Sequence, residues 1–230
     1  MRTGLKTIVR IFVWLLIGLA AYLIVGIGVS RIIFPPAPID YNSYFQPGDM
    51  LLSRFEGFDQ TVLGVNGDWM HTRLEVRPNS PGPPEHFHEE FTENFTVKSG
   101  TLSILVNGEK RTLTAGESIS IPPMTNHRPF NETNETVVVE SDDPKTLPVK
   151  FGYFLSQMYG VMDSYPEGQG APQMLMQLAV YGNDADSWIA DGPPLVVQKA
   201  MRLTMEPTAR LFGYKNYYEQ YQPGRPDLTR

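Results

Sequence analysis

Twenty consecutive residues near the N-terminus, 11–30 (IFVWLLIGLAAYLIVGIGVS), carry no charged side chain. A helix rises about 1.5 Å per residue, so this segment would be about 30 Å long and would match the hydrocarbon thickness of a bilayer. The core helix of a soluble protein normally shows a polar stripe, and this segment has none. The segment therefore predicts a single transmembrane helix, within an N-terminal unit that covers residues 1–33.

The basic residues around this segment predict its orientation. Arg2, Lys6 and Arg10 precede it, whereas only Arg31 follows it closely. Because basic residues favour the cytoplasmic side, we expect a cytoplasmic N-terminus and the rest of the chain on the outer side, periplasmic or extracellular. The alternative is a cleaved signal peptide, with small residues at 18–21 as the cleavage site and a secreted product. The apolar run continues past that site, which favours an uncleaved anchor with the lipid bilayer as its partner.

The composition limits what the rest of the chain can do. The chain has 230 residues and no cysteine. Disulfides and thiolate metal sites are therefore excluded, and any transition metal must bind His, Asp or Glu. The net charge is −6, and no run of Lys and Arg occurs beyond the N-terminal segment. This charge distribution argues against nucleic-acid binding.

A region rich in strand patterns follows a proline-rich linker at 34–49. Residues 69–76 (WMHTRLEV) alternate with period two, as a half-buried strand does. Asn107-Gly108 between two apolar runs is typical of a type I′ hairpin turn. Short strands at intervals of about ten residues, separated by Gly, Pro and Asn turns, indicate an all-β sandwich or barrel. We expect this β core over residues 50–145.

The pattern changes to helical periodicity in the C-terminal extension, 146–230, where apolar residues recur three and four positions apart. The helical segments are 149–164, 172–182 and 191–215, and Pro207 is expected to interrupt the last one. Two arrangements remain open: the helices pack on the β core, or some of them lie along the membrane surface. The basic residues that would then face lipid headgroups are Lys199, Arg202, Arg210 and Lys215.

The segment 85–94 (EHFHEEFTEN) concentrates metal-ligand residue types, with two histidines and four glutamates. Residues i and i+2 of a strand project from the same face, so His86 and His88 can converge on one metal ion. By residue type alone, a third ligand can be any of Glu85, Glu89, Glu90 and Glu93. Of the two remaining histidines, His71 and His127, we expect His71 to be an ordinary surface or hydrogen-bonded side chain.

The spacing of these residues resembles the two motifs of the cupin superfamily, over about residues 70–141. The residues that match the first motif are His86, His88, Glu93 and Gly100. Those that match the second are Gly116, Pro122, His127 and Asn131. The resemblance implies a metal site made of His86, His88, Glu93 and His127. It also implies that Glu85, Glu89 and Glu90 lie in turns or in solvent.

Two positions depart from the family pattern. Ser80 stands where the first motif opens with glycine, although Gly82 lies close by, and Met124 stands where the second motif has a glycine two residues after Pro122. Because methionine adopts a positive φ only at a cost, we expect the turn at Met124 to have a different shape. Neither departure falls on a ligand position.

The resemblance implies an all-β core with the cupin-type double-stranded β-helix, or jelly-roll barrel, flanked by the N-terminal helix and the helical extension. The implied cofactor is a divalent transition metal: Fe, Mn, Ni, Co, Cu or Zn. Four protein ligands leave coordination positions open, as a catalytic site requires. Phe91, Phe95 and Val97 share the strand face of Glu93, and we expect them to give the cavity an apolar wall.

The fold does not select one reaction, because the family includes dioxygenases, isomerases, epimerases and decarboxylases. We expect a membrane-anchored, metal-binding enzyme, dioxygenase-like, that acts on a small oxygenated molecule. The alternative is a non-catalytic cupin module that binds or senses a small ligand at the membrane. A third hypothesis is a homo-oligomeric assembly component. A proton-transfer residue in the cavity would separate the enzyme from the binding module.

Overall fold

The computed structural model describes residues 2–165 and 170–223. The helices in these ranges are α1 (Arg2–Ile33), α2 (Val149–Asp163), α3 (Ala171–Tyr181) and α4 (Leu195–Leu211). The first six strands are β1 (Met50–Ser53), β2 (Phe58–Asn66), β3 (Trp69–Val76), β4 (His86–Phe87), β5 (Glu93–Ser99) and β6 (Thr101–Val106). The other six are β7 (Glu109–Thr114), β8 (Ser118–Ile121), β9 (His127–Phe130), β10 (Val137–Glu140), β11 (Leu147–Pro148) and β12 (Trp188–Ile189).

The strands form two antiparallel sheets, and this confirms the all-β core. The larger sheet has the order β1-β2-β3-β10-β5-β8, with β11 beside β3, and the smaller has the order β12-β4-β9-β6-β7. Strands far apart in the chain are neighbours, as in the pairing of β3 with β10, which is typical of jelly-roll connections. Strand pairing within the described residues does not join the two sheets into a closed barrel.

Apolar side chains from the two sheets meet between them. Phe95 and Val97 of β5 belong to the same buried cluster as Leu102 and Ile104 of β6. The alternation of buried and exposed positions along β5 places these side chains on one face, because successive strand residues point to opposite faces. This packing fixes β5 in the core, with Glu93 at its first position.

The Asn107-Gly108 hairpin is confirmed. Asn107 and Gly108 both have positive φ, 50° and 79°, as a type I′ turn requires. Val106 pairs with Glu109 directly across the turn. The turn therefore sets the register of β6 and β7.

Helix α2 covers one side of the β structure. It packs against β1, β3 and β11, and its side chains Phe151, Tyr153 and Phe154 share a buried cluster with Met70 of β3. Of the two arrangements open for the helical extension, α2 therefore adopts the one packed on the β core.

Helix α1 is exposed along most of its length, and Gly4–Ile33 is long and apolar enough to cross a membrane. Its C-terminal half packs against α4, where the Tyr22 hydroxyl donates to the Thr204 carbonyl at 3.0 Å. Helix α4 itself continues through Pro207 to Leu211. The expectation that Pro207 interrupts this helix is therefore wrong: a proline removes one i to i−4 hydrogen bond, and the packing of α4 tolerates that loss.

Candidate metal centre

The four residues implied as metal ligands converge in the structure. His86 lies on β4 directly across from His127 on β9, His88 follows β4, and Glu93 opens β5. One ligand-type atom from each of the four lies within 4.8 Å of the others. The cluster combines both sheets, because β4 and β9 belong to the smaller and β5 to the larger.

Each of the three imidazoles uses its Nδ1 atom to bind a backbone carbonyl. The Nδ1 atoms of His86, His88 and His127 lie 2.9, 2.5 and 2.9 Å from the carbonyl oxygens of Pro84, Asp186 and Thr125, respectively. A carbonyl oxygen only accepts, so each Nδ1 donates and each Nε2 faces the centre of the cluster. A metal-binding histidine is commonly oriented by this second hydrogen bond.

The Nε2 atoms and Glu93 form a donor set that suits a metal ion. His127 Nε2 lies 2.8 Å from Glu93 Oε2, whereas His88 Nε2 lies 3.4 Å from the same oxygen and has no hydrogen-bond partner although it is buried. A buried polar atom without a partner is costly unless a ligand satisfies it. Three imidazole nitrogens and one carboxylate oxygen fit a divalent transition metal.

The electrostatics of the cluster favour the metal-binding protonation states of His86 and Glu93, whereas His127 is shifted toward its protonated form. Burial, with smaller contributions from His88 and His127, lowers the pKa of His86 to about 3. Burial acts to raise the pKa of Glu93, but the hydrogen bond from His127 and the nearby His88 imidazole outweigh burial, and the pKa is lowered. Burial acts to lower the pKa of His127, but its hydrogen bond to Glu93 outweighs burial and the pKa is raised. His86 is therefore neutral and Glu93 ionised, as ligation requires.

Asp186 supports the turn that follows His88. Its buried carboxylate accepts hydrogen bonds from the backbone N–H groups of Glu89 and Glu90, each at 2.9 Å, and from the Trp188 indole at 3.0 Å. Its backbone oxygen is the acceptor for His88 Nδ1. Sequence reasoning missed Asp186, because no spacing or motif connects it to residues 86–93.

Met124 supports the same turn from the opposite side. It has a φ of 63°, so the methionine adopts the positive φ whose cost led us to expect a different turn shape. Its backbone N–H donates to the His88 carbonyl at 2.7 Å. The side chain is 55% exposed, so the energetic cost of the positive φ comes from the backbone conformation.

Asn131 ties together the loops at the end of the second motif. Its buried amide nitrogen donates to the carbonyl oxygens of Val76, Arg77 and Glu135. Its amide oxygen accepts from the backbone N–H of Thr133 at 2.9 Å. The residue is fully hydrogen-bonded and has a structural role.

The other acidic residues of the segment, and His71, are not among the four clustered residues. Glu89 forms an ion pair with Lys199 at 2.6 Å, Glu90 is exposed and Glu85 is half-buried. His71 Nε2 lies 3.1 Å from the Ser141 carbonyl oxygen. Its side chain is hydrogen-bonded outside the cluster.

A cavity of about 290 Å³ adjoins the cluster, and His86, His88 and Glu93 form part of its wall. The wall is otherwise mainly apolar and includes Phe58, Leu74, Phe95, Phe151, Phe154 and Met158. Of the three residues expected to line it, Phe95 does so. Phe91 instead stacks on the His88 ring at 4.3 Å between centroids, and Val97 lies in the core between the sheets.

Two buried polar groups, Glu56 and Tyr159, lie in the cavity wall and are hydrogen-bonded to each other. Their exposed fractions are 7% and 5%. Burial raises the pKa of Glu56 to about 8, the Tyr159 hydrogen bond partly opposes this, and the charge of Asp163 adds to it. Sequence reasoning missed this pair, because the two residues come from the β1–β2 connection and from α2.

Asp163 fixes the backbone that carries Glu56. Its carboxylate accepts hydrogen bonds from the backbone N–H groups of Arg54 and Phe55, at 3.0 and 3.1 Å. The Glu56 backbone N–H is held by Ser53 Oγ at 3.1 Å. These contacts hold the Glu56 carboxyl group at the cavity.

The chain is similar in sequence to known proteins. The chain is 26% identical over 186 residues to Epoxidase atD of Aspergillus terreus, covering 76% of this chain and 57% of that protein. It is 31% identical over 104 residues to Probable oxidoreductase patJ of Aspergillus clavatus, covering 45% of this chain and 29% of that protein. The chain therefore spans little more than half the length of the first relative and less than a third of the second.

Among solved structures, KdgF from Halomonas sp. is 23% identical, with a TM-score of 0.34, and the match covers 36% of this chain and 76% of that chain. The family model described as Cupin domain matches residues 72–141. These residues contain both sequence motifs and all four clustered side chains. Residues 72–141 of this chain therefore form a cupin domain.

Proposed function

We propose that this protein is a metal-dependent oxidoreductase for a small, mainly apolar molecule that carries an oxygen function. The observation that carries the proposal is the position of the cluster: His86, His88 and Glu93 form part of the wall of an apolar cavity large enough for such a molecule. The relatives named as an epoxidase and a probable oxidoreductase support this reaction class.

The cluster of His86, His88, Glu93 and His127 is proposed to hold one divalent transition metal. When bound, the metal would supply Lewis-acid or redox chemistry to a substrate oxygen. The chain's own contribution is orientation, because the backbone carbonyls that bind each Nδ1 hold the imidazoles in one tautomer. The apolar wall excludes water and strengthens electrostatic interactions within the cavity.

Glu56 favours an enzyme over a module that only binds a ligand. At neutral pH it is largely protonated, because burial raises its pKa to about 8, and it lies in the same cavity as the cluster. It can give its proton to a substrate oxygen and become a carboxylate that the Tyr159 hydroxyl stabilises. A general acid works best when its pKa lies near the operating pH. A binding module needs no such group.

We also propose that α1 anchors the protein in a membrane, with the N-terminus cytoplasmic. The support is the uninterrupted apolar surface of α1, whose large side chains are exposed. Exposed apolar area on this scale is unfavourable in water and favourable in lipid. The excess of basic residues before the helix supports the orientation.

Metal content tests the ligand assignment. In the natively expressed full-length protein, elemental analysis should find about one transition-metal ion per chain. His86→Ala and Glu93→Ala should each lower that content severalfold, because each removes a ligand from a four-ligand set. The matched control is Glu90→Ala, which removes an exposed carboxylate of the same segment and should leave metal content unchanged. Equal content in all three variants would contradict the assignment.

Oxygen uptake tests the reaction class. The Fe(II)-, Mn(II)- and Ni(II)-loaded protein should consume O₂ with at least one member of a panel of phenols, enols and cyclic enones. Glu56→Gln should lower turnover by about 100-fold, the size of a general-acid contribution, while metal content stays at the wild-type level. Exposed Glu135→Gln is the control. Metal-loaded protein that converts no member of the panel would sink the oxidoreductase proposal.

A further inference from the structure

Helix α4 buries most of its charged side chains and exposes its apolar ones. Arg202 is buried and donates to the backbone carbonyls of Ala185 and Ser187. Glu206 is buried and accepts from Arg31 and Arg210, each at 2.9 Å. Lys199 is half-exposed and pairs with Glu89. In the membrane-surface arrangement left open by the sequence, Arg202 and Arg210 would face lipid headgroups; that part is wrong, because both are hydrogen-bonded within the protein.

The opposite face of α4 is exposed and apolar. The exposed fractions are 72% for Val196, 41% for Val197, 50% for Leu203 and 68% for Leu211, and Phe212 immediately after the helix is 69% exposed. A surface helix in water shows the reverse pattern, with charged residues outward. Exposed apolar side chains grouped in this way mark an interaction surface.

The contacts with α1 show how α4 is oriented. Thr204 and Thr208, one turn apart on α4, both bind the Tyr22 hydroxyl. Glu206 and Arg210, also one turn apart but on the other side of α4, lie at the level of Arg31. Residues one turn apart along α4 therefore contact α1 at the same height. Residues on opposite sides of α4 contact α1 at different heights.

Helix α4 therefore runs across α1. Gly26 lies at the crossing, where a Cβ would be only 3.3 Å from the Pro207 Cβ. Tyr22 and Arg31 are nine residues apart. This separation corresponds to a rise of about 14 Å along α1, close to the full width of one helix with its side chains, about 10–12 Å.

This crossing sets the depth of α4. The charge-free segment of α1 ends at residue 30, so a bilayer that α1 crosses ends near Arg31. The side of α4 that carries Glu206 and Arg210 lies at the height of Arg31. The side that carries Thr204 and Thr208 lies at the height of Tyr22, below the membrane surface. An amphipathic helix in the plane of the interface has this arrangement.

We propose that the apolar face of α4 is a lipid-binding surface, seated in the leaflet that holds the C-terminal half of α1. The proposal rests on the proposed crossing of the membrane by α1. The ligand is the boundary between phospholipid headgroups and acyl chains. Since the basic side chains of α4 are already paired, zwitterionic phosphatidylcholine, which has no net charge, suffices and anionic lipid is not required.

The absence of cysteine permits a direct test, because any introduced cysteine is unique. Val197→Cys and Leu211→Cys place a polarity-sensitive fluorophore on the apolar face of α4 in the full-length chain. Val13→Cys reports on α1 alone, and Thr112→Cys, on the exposed strand β7, reports on water. Each labelled protein is reconstituted in phosphatidylcholine vesicles that contain a lipid with a nitroxide quencher at a shallow or a deep acyl position.

The labels at 197 and 211 should lose most of their fluorescence with the shallow nitroxide, and the label at 112 should lose none. Quenching of the label at 13 by the shallow nitroxide, while the labels at 197 and 211 are as exposed to water as the label at 112, would overturn the α4 proposal and leave the anchor intact. Labels at 197 and 211 that are shielded from water yet not quenched would show a second protein copy on this face and would also overturn it. An unquenched label at 13 would overturn both the anchor and the α4 surface.

Discussion

Two residues beside the proposed metal centre, Met124 and Glu56, are held in states that they would not adopt in a free chain. Met124 has a left-handed backbone conformation, and Glu56 is buried among apolar side chains. Such states persist when surrounding contacts over-determine them, and they concentrate at functional sites. Each of the two residues leads to a testable prediction about the stability of the protein.

Replacement of Met124 by glycine should stabilise the protein. The left-handed conformation costs a non-glycine residue about 1–2 kcal/mol, and the greater entropy of glycine in the unfolded chain offsets about 0.4–1 kcal/mol of that. We expect Met124→Gly to raise the free energy of unfolding by up to about 1 kcal/mol in denaturant titrations. Met50→Gly, at an exposed methionine in β1, should lower it by about as much. A loss of stability in Met124→Gly would show that its side chain contributes packing.

Glu56 should make stability depend on pH. Its pKa is raised to about 8, so the folded state keeps a proton that the unfolded state releases near pH 4.5. Stability from Glu56 is therefore present below about pH 4.5 and is lost as pH rises to about 8, at up to about 1.4 kcal/mol per pH unit. Glu56→Gln should remove this slope in unfolding titrations from pH 5 to 8, and exposed Glu135→Gln should retain it.

Tyr159 provides a second check on the same carboxyl group. Its hydrogen bond opposes the rise in the pKa of Glu56, whereas Asp163 adds to that rise. Tyr159→Phe should therefore extend the pH-dependent loss of stability above pH 8. An unchanged profile would show that the two side chains do not interact in solution.

At the scale of elements, the segment 185–189, which includes β12, joins α4 to the metal centre. Arg202 of α4 binds its backbone carbonyls and also stacks on Trp188, 3.8 Å from the ring centroid. Asp186 in the same segment holds the turn after His88. The position of one proposed metal ligand therefore depends on a helix from the C-terminal extension.

Replacement of Asp186 should weaken metal binding without removing a ligand. Asp186→Ala leaves the backbone N–H groups of Glu89 and Glu90 without their acceptor, so the turn that carries His88 loosens. We expect the metal affinity to fall by about 10–100-fold, as for other groups that orient metal ligands, measured by competition with a chelator. Exposed Asp191→Ala is the matched control. Wild-type affinity in Asp186→Ala would show that the His88 turn holds its shape without this carboxylate.

Local patterns predicted the elements that depend on local chemistry. The Asn107-Gly108 turn needs only two residues that accept positive φ, and the strand alternation needs only one buried face, so both were readable from the sequence. Glu56, Tyr159 and Asp186 could not be predicted in this way, because each reaches the site from a separate segment. Periodicity indicates which face of an element is buried but not which element packs against it. The charged side of α4 shows the same limit: its spacing was visible, but its partners Ala185, Ser187 and Arg31 were not.

At the scale of the whole molecule, the proposed anchor, the interfacial helix and the cavity form one connected path. The Gln198 side chain of α4 donates to the Ile189 carbonyl at 2.9 Å and accepts from the Ile189 N–H at 3.1 Å. Ile189 also lines the cavity. The rim of the cavity is thus hydrogen-bonded to the helix that we place at the lipid surface.

That link between Gln198 and Ile189 bears on how substrates would compete for the site. With the rim of the cavity at the depth of the headgroups, a molecule's partition coefficient into the bilayer, and not its solubility in water, would set its concentration at the entrance. Diluting such a substrate with inert phospholipid, at a fixed amount in the sample, should then slow turnover. The rate would follow the mole fraction of the substrate in the membrane, because the cavity would take up its substrate from the lipid bilayer and not from water.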